Sequence, residues 1–392
     1  MIAEDRGNIR RRFSMTSRER LNAAAEFREA DRVPIELQIG PEEKKLPECR
    51  RIADFIANEA DNFMGVAGAD WGFFGLPCGY RQETLEDRPG EYRRIRQTYS
   101  TEAGDFYAVA KYFYRPHLDL TDCRWEKKHV SSLEDLVRLA DAPRRVCPIH
   151  REKHLEHLKM VGDRGMPVVG CLHPLGNLVR RSAMEEIYGW MASEKAIIHR
   201  FLEKTNRQVR DTILDMGKEG ISCWFGVTAH EMLIPPWMGR KHFDELVFPY
   251  DKEINDAIHS IGGKVRAHCH GKCMHFLERM SEMGIDSIEP LEPLPYGDVD
   301  LKEAKRLVGD RMLLSGNIVS PDFLRLDKGD VKELVKKAIK DAAAGGGFTL
   351  RTTGGHADVN MSLEKPILKK VAENVEAYIE AALDYGRYPS RT

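Results

Sequence analysis

The sequence lacks the features that mark membrane-spanning, nucleic-acid-binding and disulfide-rich proteins. Its longest uncharged hydrophobic run, Met166–Val179, is interrupted by His173 and Pro174 and is shorter than the roughly 18 residues that a membrane-spanning helix needs. Lys and Arg number 60 and Asp and Glu number 62, so the net charge of −2 gives no reason to predict nucleic acid or an anionic membrane as a partner. The eight cysteines among 392 residues form no CxxC pair, which predicts reduced thiols in a cytoplasmic protein.

Short motifs of several enzyme classes are also missing. The sequence contains neither the GxGxxG turn of a dinucleotide site nor the GxSxG turn of a serine hydrolase. Gly271-Lys272 lacks the flanking residues of a phosphate-binding loop. His230-Glu231 begins like the HExxH helix of zinc proteases, but Ile234 stands where the second histidine is needed. Hydride transfer on a Rossmann domain, nucleotide hydrolysis and serine esterase chemistry are therefore not expected.

Strand-like segments alternate with longer helix-like segments through most of the chain, which is typical of parallel βαβ units. Because the C-terminal half alone supplies five or more strands without a dinucleotide turn, we predict a closed (β/α)₈ TIM-like barrel. The predicted strands are Val33–Leu37, Pro167–Leu172, Ile221–Gly226, Lys264–His270, Ile285–Ile288, Met312–Ser315 and Phe348–Leu350.

We predict one domain over residues 1–392 with two additions to the barrel. A capping box from Thr16 to Glu19 begins a helix within an N-terminal helical extension over residues 1–30. Aromatic residues and threonines alternate with charged ones around the Pro89-Gly90 turn, which predicts a β-hairpin insertion over about residues 76–122.

The segment Val265–Gly271 carries the strongest sign of chemistry. Side chains alternate along a strand, so His268 and His270 are expected on one side and Cys269 on the other. Two imidazoles about 6.5–7 Å apart on one face can bind a single divalent ion. The strand runs into Gly271, and catalytic residues of barrels lie at the carboxyl ends of strands. The alternative is that both histidines only line the barrel and form hydrogen bonds.

Further candidates follow other predicted strands. Glu231 and His356 lie in two other loops, and together with the histidine pair they would supply nitrogen and oxygen ligands from three loops, as in an open catalytic zinc site. Each alone is better explained as a solvated loop residue. Glu289 is a candidate general base or substrate-binding carboxylate, and Asn317 is a candidate hydrogen-bond donor at the neighbouring strand end.

Several segments occur in the order and spacing of a known family. Arg18-Glu19-Arg20 and the HxHG turn are two of them, and the others are Asp31–Pro34, Gly284–Ile288, Asp298–Lys305 and Leu314–Ile318. The sequence resembles the uroporphyrinogen decarboxylase superfamily over most of its length, most strongly from about Gly220 onward. This resemblance also implies a TIM-like barrel.

Two branches of that superfamily bear on function. True decarboxylases use an arginine-rich N-terminal segment to hold the carboxylates of a tetrapyrrole, and no arginine occurs in Ile35–Gly40. Zinc-dependent methyltransferases of corrinoid proteins carry an HxCG turn and a later cysteine in a glycine-containing loop. By position, His268 matches the family histidine, His270 replaces the first cysteine, and His356 lies in the loop of the later cysteine. The sequence thus resembles this branch with imidazoles in place of both thiolates.

The resemblance implies a metal-dependent methyltransferase. It would hold Zn²⁺ through His268, His270 and either His356 or Glu231, and the metal would act as a Lewis acid on the oxygen or sulfur of a small methyl donor or a thiol acceptor. The corrinoid would belong to a separate protein, since no cobalamin-binding domain is evident. The near-neutral net charge is compatible with a homodimer but is not evidence for one.

Two alternatives stay open. One is a metal-free decarboxylase or lyase in which Arg266 or Arg351 binds the substrate carboxylate. The other is a non-catalytic protein that binds a tetrapyrrole or a corrinoid partner, which the loss of both thiolates would explain.

Overall fold

A computed structural model describes residues 14–115, 118–353, 357, 359 and 363–389. Eight parallel strands separated by helices form a nearly closed α/β barrel, which confirms the predicted fold class. These strands are β1 (Ile35–Glu36), β2 (Asn62–Val66), β7 (Gly165–Gly170), β8 (Trp224–Val227), β9 (Lys264–Cys269), β10 (Ser287–Pro290), β11 (Leu313–Ile318) and β12 (Phe348–Thr352). Their order in the sheet is β1-β12-β11-β10-β9-β8-β7-β2.

Helices follow most strands of the barrel. The helices are α1 (Ser17–Ala25), α2 (Arg50–Asn58), α3 (Leu133–Asp141), α4 (Arg151–Val161), α5 (Pro174–Arg181), α6 (Met184–Ser193), α7 (Lys195–Lys218), α8 (Arg240–His242), α9 (Phe248–Ser260), α10 (Leu277–Glu282), α11 (Leu301–Val308), α12 (Asp322–Arg325), α13 (Lys328–Ala342) and α14 (Lys365–Tyr385). None of the helices in the described part of the chain is both long and hydrophobic enough to cross a membrane.

The predicted insertion is a four-stranded antiparallel sheet in the order β3-β4-β5-β6. Its strands are β3 (Cys78–Arg88), β4 (Tyr92–Thr101), β5 (Gly104–Arg115) and β6 (Leu118–Lys127). The alternating pattern extends to Lys127, so the segment forms two strands more than a simple hairpin. One face is buried through Phe106 and Ala108, and the ring centroid of Phe106 lies 5.0 Å from that of Phe73.

Two elements differ from the sequence prediction. Strand β2 was not predicted, because Gly65 and the short Asn62–Val66 segment give no clear alternation. Long helical patterns in the sequence predict helix over about Met184–Gly217, and the structure divides this stretch into α6 and α7 at Glu194, whose φ of −126° is not helical. Apart from these two differences the predicted strands and the observed ones overlap.

The N-terminal helix begins with the predicted capping box. Thr16 Oγ1 accepts a hydrogen bond from the Glu19 backbone N–H at 3.2 Å, and Glu19 accepts one from the Thr16 N–H at 2.7 Å. Helix α1 ends at Ala25, and residues 1–13 of the predicted extension lie outside the described residues.

The segments Arg18–Arg20 and Asp31–Pro34 form a buried ion-pair cluster around Asp61. Arg20 Nε lies 2.6 Å from Asp31 Oδ1, and its Nη1 lies 3.1 Å from Asp61 Oδ1. Arg32 Nη1 lies 2.5 Å from the other oxygen of Asp61, which is fully buried. Of the two motif segments, Arg20, Asp31 and Arg32 therefore join the beginning of the barrel through Asp61.

The chain forms two compact units. One comprises Met1–Gly65, Leu158–Val168 and Cys269–Thr392, and the other comprises Val66–His157 and Val169–His268. The first contains the Asp61 cluster, and the second contains the antiparallel sheet. The single domain over residues 1–392 stays a prediction.

Candidate active and metal-binding site

Strand β9 shows the predicted alternation only in part. Val265, Ala267 and Cys269 are buried and His268 is partly exposed, but Arg266, which alternates with them, is also buried. His270 is partly exposed and directly follows Cys269, the last residue of the strand. Gly271 follows with a φ of +79°, in the left-handed region that favours glycine, so the chain turns sharply directly after His270. The two histidines therefore lie at the carboxyl end of a barrel strand, where barrel enzymes carry their catalytic groups.

A carboxylate holds this turn in place. Glu292 Oε1 lies 2.9 Å from His270 Nδ1, and Glu292 Oε2 accepts a hydrogen bond from the Gly271 backbone N–H at 2.9 Å. Glu292 is largely buried, whereas a third of the His270 side chain is exposed. The carboxylate thus fixes the orientation of the imidazole and the conformation of the turn together.

The predicted base Glu289 belongs to a buried ion-pair cluster centred on Arg351. Arg351 Nε lies 3.0 Å from Glu289 Oε2, and Arg351 Nη1 lies 2.8 Å from Glu36 Oε2. Ser315 and Thr349 donate hydrogen bonds to the second oxygen of Glu36, at 3.0 and 2.6 Å. Burial lowers the pKa of Arg351, but the charges of Glu289 and Glu36 outweigh burial and raise it above its ordinary value.

The other predicted site residues lie in separate environments. Glu231 Oε1 lies 3.3 Å from Arg180 Nη2, and the Glu231 side chain is 22% exposed. Asn317 is partly exposed on β11 and pairs through its backbone register with Arg351 of β12. His356 lies outside the described residues, so its part in a metal site stays a prediction.

The structure also assembles a cluster that the sequence patterns did not indicate. His173, His230 and Asp251 each offer a ligand atom, and all three atoms lie within 4.8 Å of one another. Asp251 Oδ2 is 3.0 Å from His173 Nε2 and 3.2 Å from His230 Nε2. The two imidazole rings stack with centroids 4.6 Å apart, and all three residues are at most 4% exposed. We call these residues the HHD cluster.

The pKa values of the three HHD residues depend on one another. Burial lowers the pKa of His230. Burial alone would also lower that of His173, but the Asp251 charge reverses the effect and its pKa is raised. Burial opposes ionisation of Asp251, yet the two imidazoles outweigh it and hold the pKa of the carboxyl well below its usual range. The cluster therefore favours a carboxylate beside at least one positive charge.

A model of the family described as uroporphyrinogen decarboxylase (URO-D) matches residues 149–386, more than half of the chain. The chain belongs to this family. No curated protein matches the sequence. Among solved structures, a methyltransferase from Methanosarcina mazei is similar with a TM-score of 0.55 and 15% identity, over 94% of this chain and 99% of that one. At this identity the likeness shows the shared fold.

A second solved structure, a B12-independent methionine synthase from Shewanella, has a TM-score of 0.37 and 12% identity over 70% of each chain. It is less similar to this URO-D family member than the Methanosarcina protein, and no argument below depends on it.

One signal in this URO-D family member would have pointed to the HHD cluster. His173 lies three residues after the end of β7, and His230 lies three residues after the end of β8. Strands β7 and β8 are neighbours, so equal spacing brings the two imidazoles together. Asp251 comes from helix α9 and carries no comparable signal in the sequence.

Proposed function

We propose that this URO-D family member is a metal-dependent methyltransferase. It would move a methyl group between a small O- or S-methyl compound, or a thiol acceptor, and a corrinoid held by a separate protein. The observation that carries the proposal is the contact of Glu292 with His270 at the carboxyl end of β9. A histidine that binds a metal usually has its other ring nitrogen against a carboxylate or a carbonyl, and Glu292 occupies that position beside His270 Nδ1.

The donor set of the turn fits zinc. Imidazole nitrogens and carboxylate oxygens are among its usual ligands, and His268 and His270 would hold it together with His356 or Glu231. When bound, the metal supplies Lewis-acid stabilisation to the oxygen or sulfur that loses or gains the methyl group. His270 is one-third exposed, so a substrate can reach this turn, whereas the HHD cluster is at most 4% exposed. The greater exposure of His270 favours the turn after β9, and not the HHD cluster, as the site of the reaction.

The surrounding residues position the reactants. Glu292 keeps the imidazole of His270 in one orientation, and Gly271 sets the turn that presents it. Arg351 shares its charge between Glu36 and Glu289, which favours Glu289 as a fixed carboxylate that orients a donor group of the substrate. Asn317 would donate a hydrogen bond from the neighbouring strand end. These assignments make Glu289 and Asn317 binding groups of the same reaction.

The decarboxylase alternative requires an arginine that is available for the substrate carboxylate. Arg351 already contacts two carboxylates, and both are largely buried with it. An anionic substrate there would have to displace Glu36 or Glu289 from a buried ion pair, which costs several kcal/mol. Arg266 is the second candidate and is only 5% exposed. Methyl transfer is therefore favoured over decarboxylation.

The proposal is tested by the metal content and turnover of the His268→Ala variant. We expect the variant to lose about one Zn²⁺ per chain after zinc reconstitution and to lose methyl transfer with it. His150→Ala is the matched control, because His150 is exposed. Full zinc content and full turnover in His268→Ala would overturn the assignment.

A further inference from the structure

The HHD cluster has a hydrogen-bonding arrangement that needs a positive charge, which either a second proton on His173 or a bound cation can supply. His173 Nδ1 lies 2.9 Å from the Thr228 carbonyl oxygen, which can only accept, so this nitrogen carries the proton. In a neutral imidazole the other nitrogen, Nε2, then carries a lone pair. That lone pair lies 3.0 Å from Asp251 Oδ2 and forms no hydrogen bond among the described residues. Two acceptors at this distance repel each other unless a positive charge lies between them.

Because the cluster is buried, the negative charge of Asp251 is unfavourable unless a positive charge lies beside it. His173 and His230 are each 1% exposed and Asp251 is 4% exposed, so bulk water does not screen the carboxylate. Glu231, next to His230 in the chain, is paired with Arg180 through Oε1, so it leaves Asp251 as the carboxylate of the cluster that needs compensation. A buried carboxylate is stable only when it is paired or bound to a metal.

We infer that His173, His230 and Asp251 form a second metal site, which binds a divalent cation of the zinc class through two imidazole nitrogens and one carboxylate oxygen. In tetrahedral zinc sites with ligands at 2.0–2.1 Å, neighbouring ligand atoms are about 3.3 Å apart. The distances from Asp251 Oδ2 to His173 Nε2 and His230 Nε2, 3.0 and 3.2 Å, are close to that spacing. Three protein ligands leave one position for a water molecule.

Three protein ligands with one open position are typical of catalytic zinc sites, but the HHD residues are at most 4% exposed, so we assign this site a structural role. It joins the loop after β7, the loop after β8 and the beginning of helix α9, which all belong to one compact unit. A metal there stabilises these loops against one another, because the folded state binds it and the unfolded chain has no preformed site. This site is independent of the proposed turn site at His268 and His270.

Zinc stoichiometry of the full-length protein tests the inference. The protein is stripped with a chelator, titrated with Zn²⁺ alone, and assayed by elemental analysis and thermal unfolding. We expect His230→Ala to bind about one Zn²⁺ per chain fewer than the wild type and to lose most of the zinc-dependent rise in Tm. His150→Ala, which changes an exposed histidine of the same unit, should match the wild type.

Two further measurements keep the inference testable if His230→Ala does not fold. Asp251→Asn preserves the shape of the side chain and should bind zinc at least about tenfold more weakly. Crystals of the zinc-loaded wild type should show anomalous scattering at the zinc edge between His173, His230 and Asp251. Absence of that peak, or equal zinc content in His230→Ala and the wild type, would overturn the inference and leave a buried proton as the positive charge. Loss of zinc only in His268→Ala would support the turn site and overturn this one.

Discussion

Glu292 Oε1 lies 2.9 Å from His270 Nδ1, and the same carboxylate accepts the N–H of Gly271 through its other oxygen. One acidic side chain therefore fixes both the imidazole and the turn that presents it. Because Glu292 is 12% exposed and His270 is 33% exposed, the partially buried carboxylate supports a more accessible ring. This arrangement connects the fold to the proposed metal chemistry.

Glu292→Gln should weaken zinc binding at the turn by about 10- to 100-fold, because the amide removes the negative charge that makes the imidazole a better ligand. The affinity is measured by competition with a chromophoric chelator in a His230→Ala background, so that the HHD cluster does not contribute. Glu303→Gln is the control, since the Glu303 side chain on α11 is 45% exposed and pairs with Arg306. Equal affinities for the two variants would contradict the supporting role of Glu292.

Asp61→Asn should lower the free energy of unfolding by about 3–5 kcal/mol, because it removes the fully buried charge that contacts both Arg20 and Arg32. The measurement is urea unfolding at neutral pH. Asp256→Asn breaks an exposed ion pair with Lys252 and should cost at most about 0.5 kcal/mol. Similar losses in both variants would show that the Asp61 cluster does not support the start of the barrel.

Arg351→Met should also destabilise the protein by about 3–5 kcal/mol, because the buried carboxylates of Glu36 and Glu289 then lose the cation that contacts both. Replacing both acids by glutamine in the same chain should recover part of that loss, since no unpaired charge remains. Urea unfolding of the single and triple variants gives the comparison. A triple variant that is less stable than Arg351→Met would show that packing, and not charge, dominates this cluster.

The lowered pKa of His129 predicts how the free energy of unfolding depends on pH. Burial, followed by the charges of Arg181, Lys127 and Lys128, lowers the pKa of His129 to about 3. The unfolded state therefore binds a proton below about pH 6.5 that the folded state does not bind, and stability falls as the pH decreases toward 3. At pH 5 the loss amounts to about 2 kcal/mol.

The variant His129→Gln cannot take up this proton. Its loss of unfolding free energy between pH 7 and pH 5 should be smaller than that of the wild type by about 2 kcal/mol. His150→Gln, at an exposed position, should leave the pH dependence unchanged. An identical pH dependence in His129→Gln and the wild type would contradict the neutral, buried state of His129.

Hydrophobic patterns predict the barrel because each buried strand is a short apolar run bounded by helix signals. The same reasoning misses β2, since Asn62 and Gly65 interrupt its pattern. Alternation on β9 predicts that His268 and His270 share a side; both are partly exposed, and their joint role in a metal site stays a prediction.

Long-range pairing could not be predicted in the same way. Glu292 lies after the next strand along the chain from His270, and its acidic neighbour Glu289 contacts Arg351 instead. The HHD cluster combines two loops and a helix, and nothing in the spacing of Asp251 indicates where helix α9 brings it. A contact between distant segments depends on the folded backbone, which a single sequence does not display.

Methylation of cob(I)alamin tests the central claim most directly. The zinc-loaded protein is incubated anaerobically with free cob(I)alamin and a panel of methoxy and methylthio compounds, and methylcobalamin formation is followed by absorption. We expect turnover with at least one compound, and we expect Glu292→Gln to be slower than Glu303→Gln. Binding of the corrinoid without methylcobalamin from any compound, or release of CO₂ from a carboxylated substrate by the metal-free protein, would contradict the proposed methyl transfer.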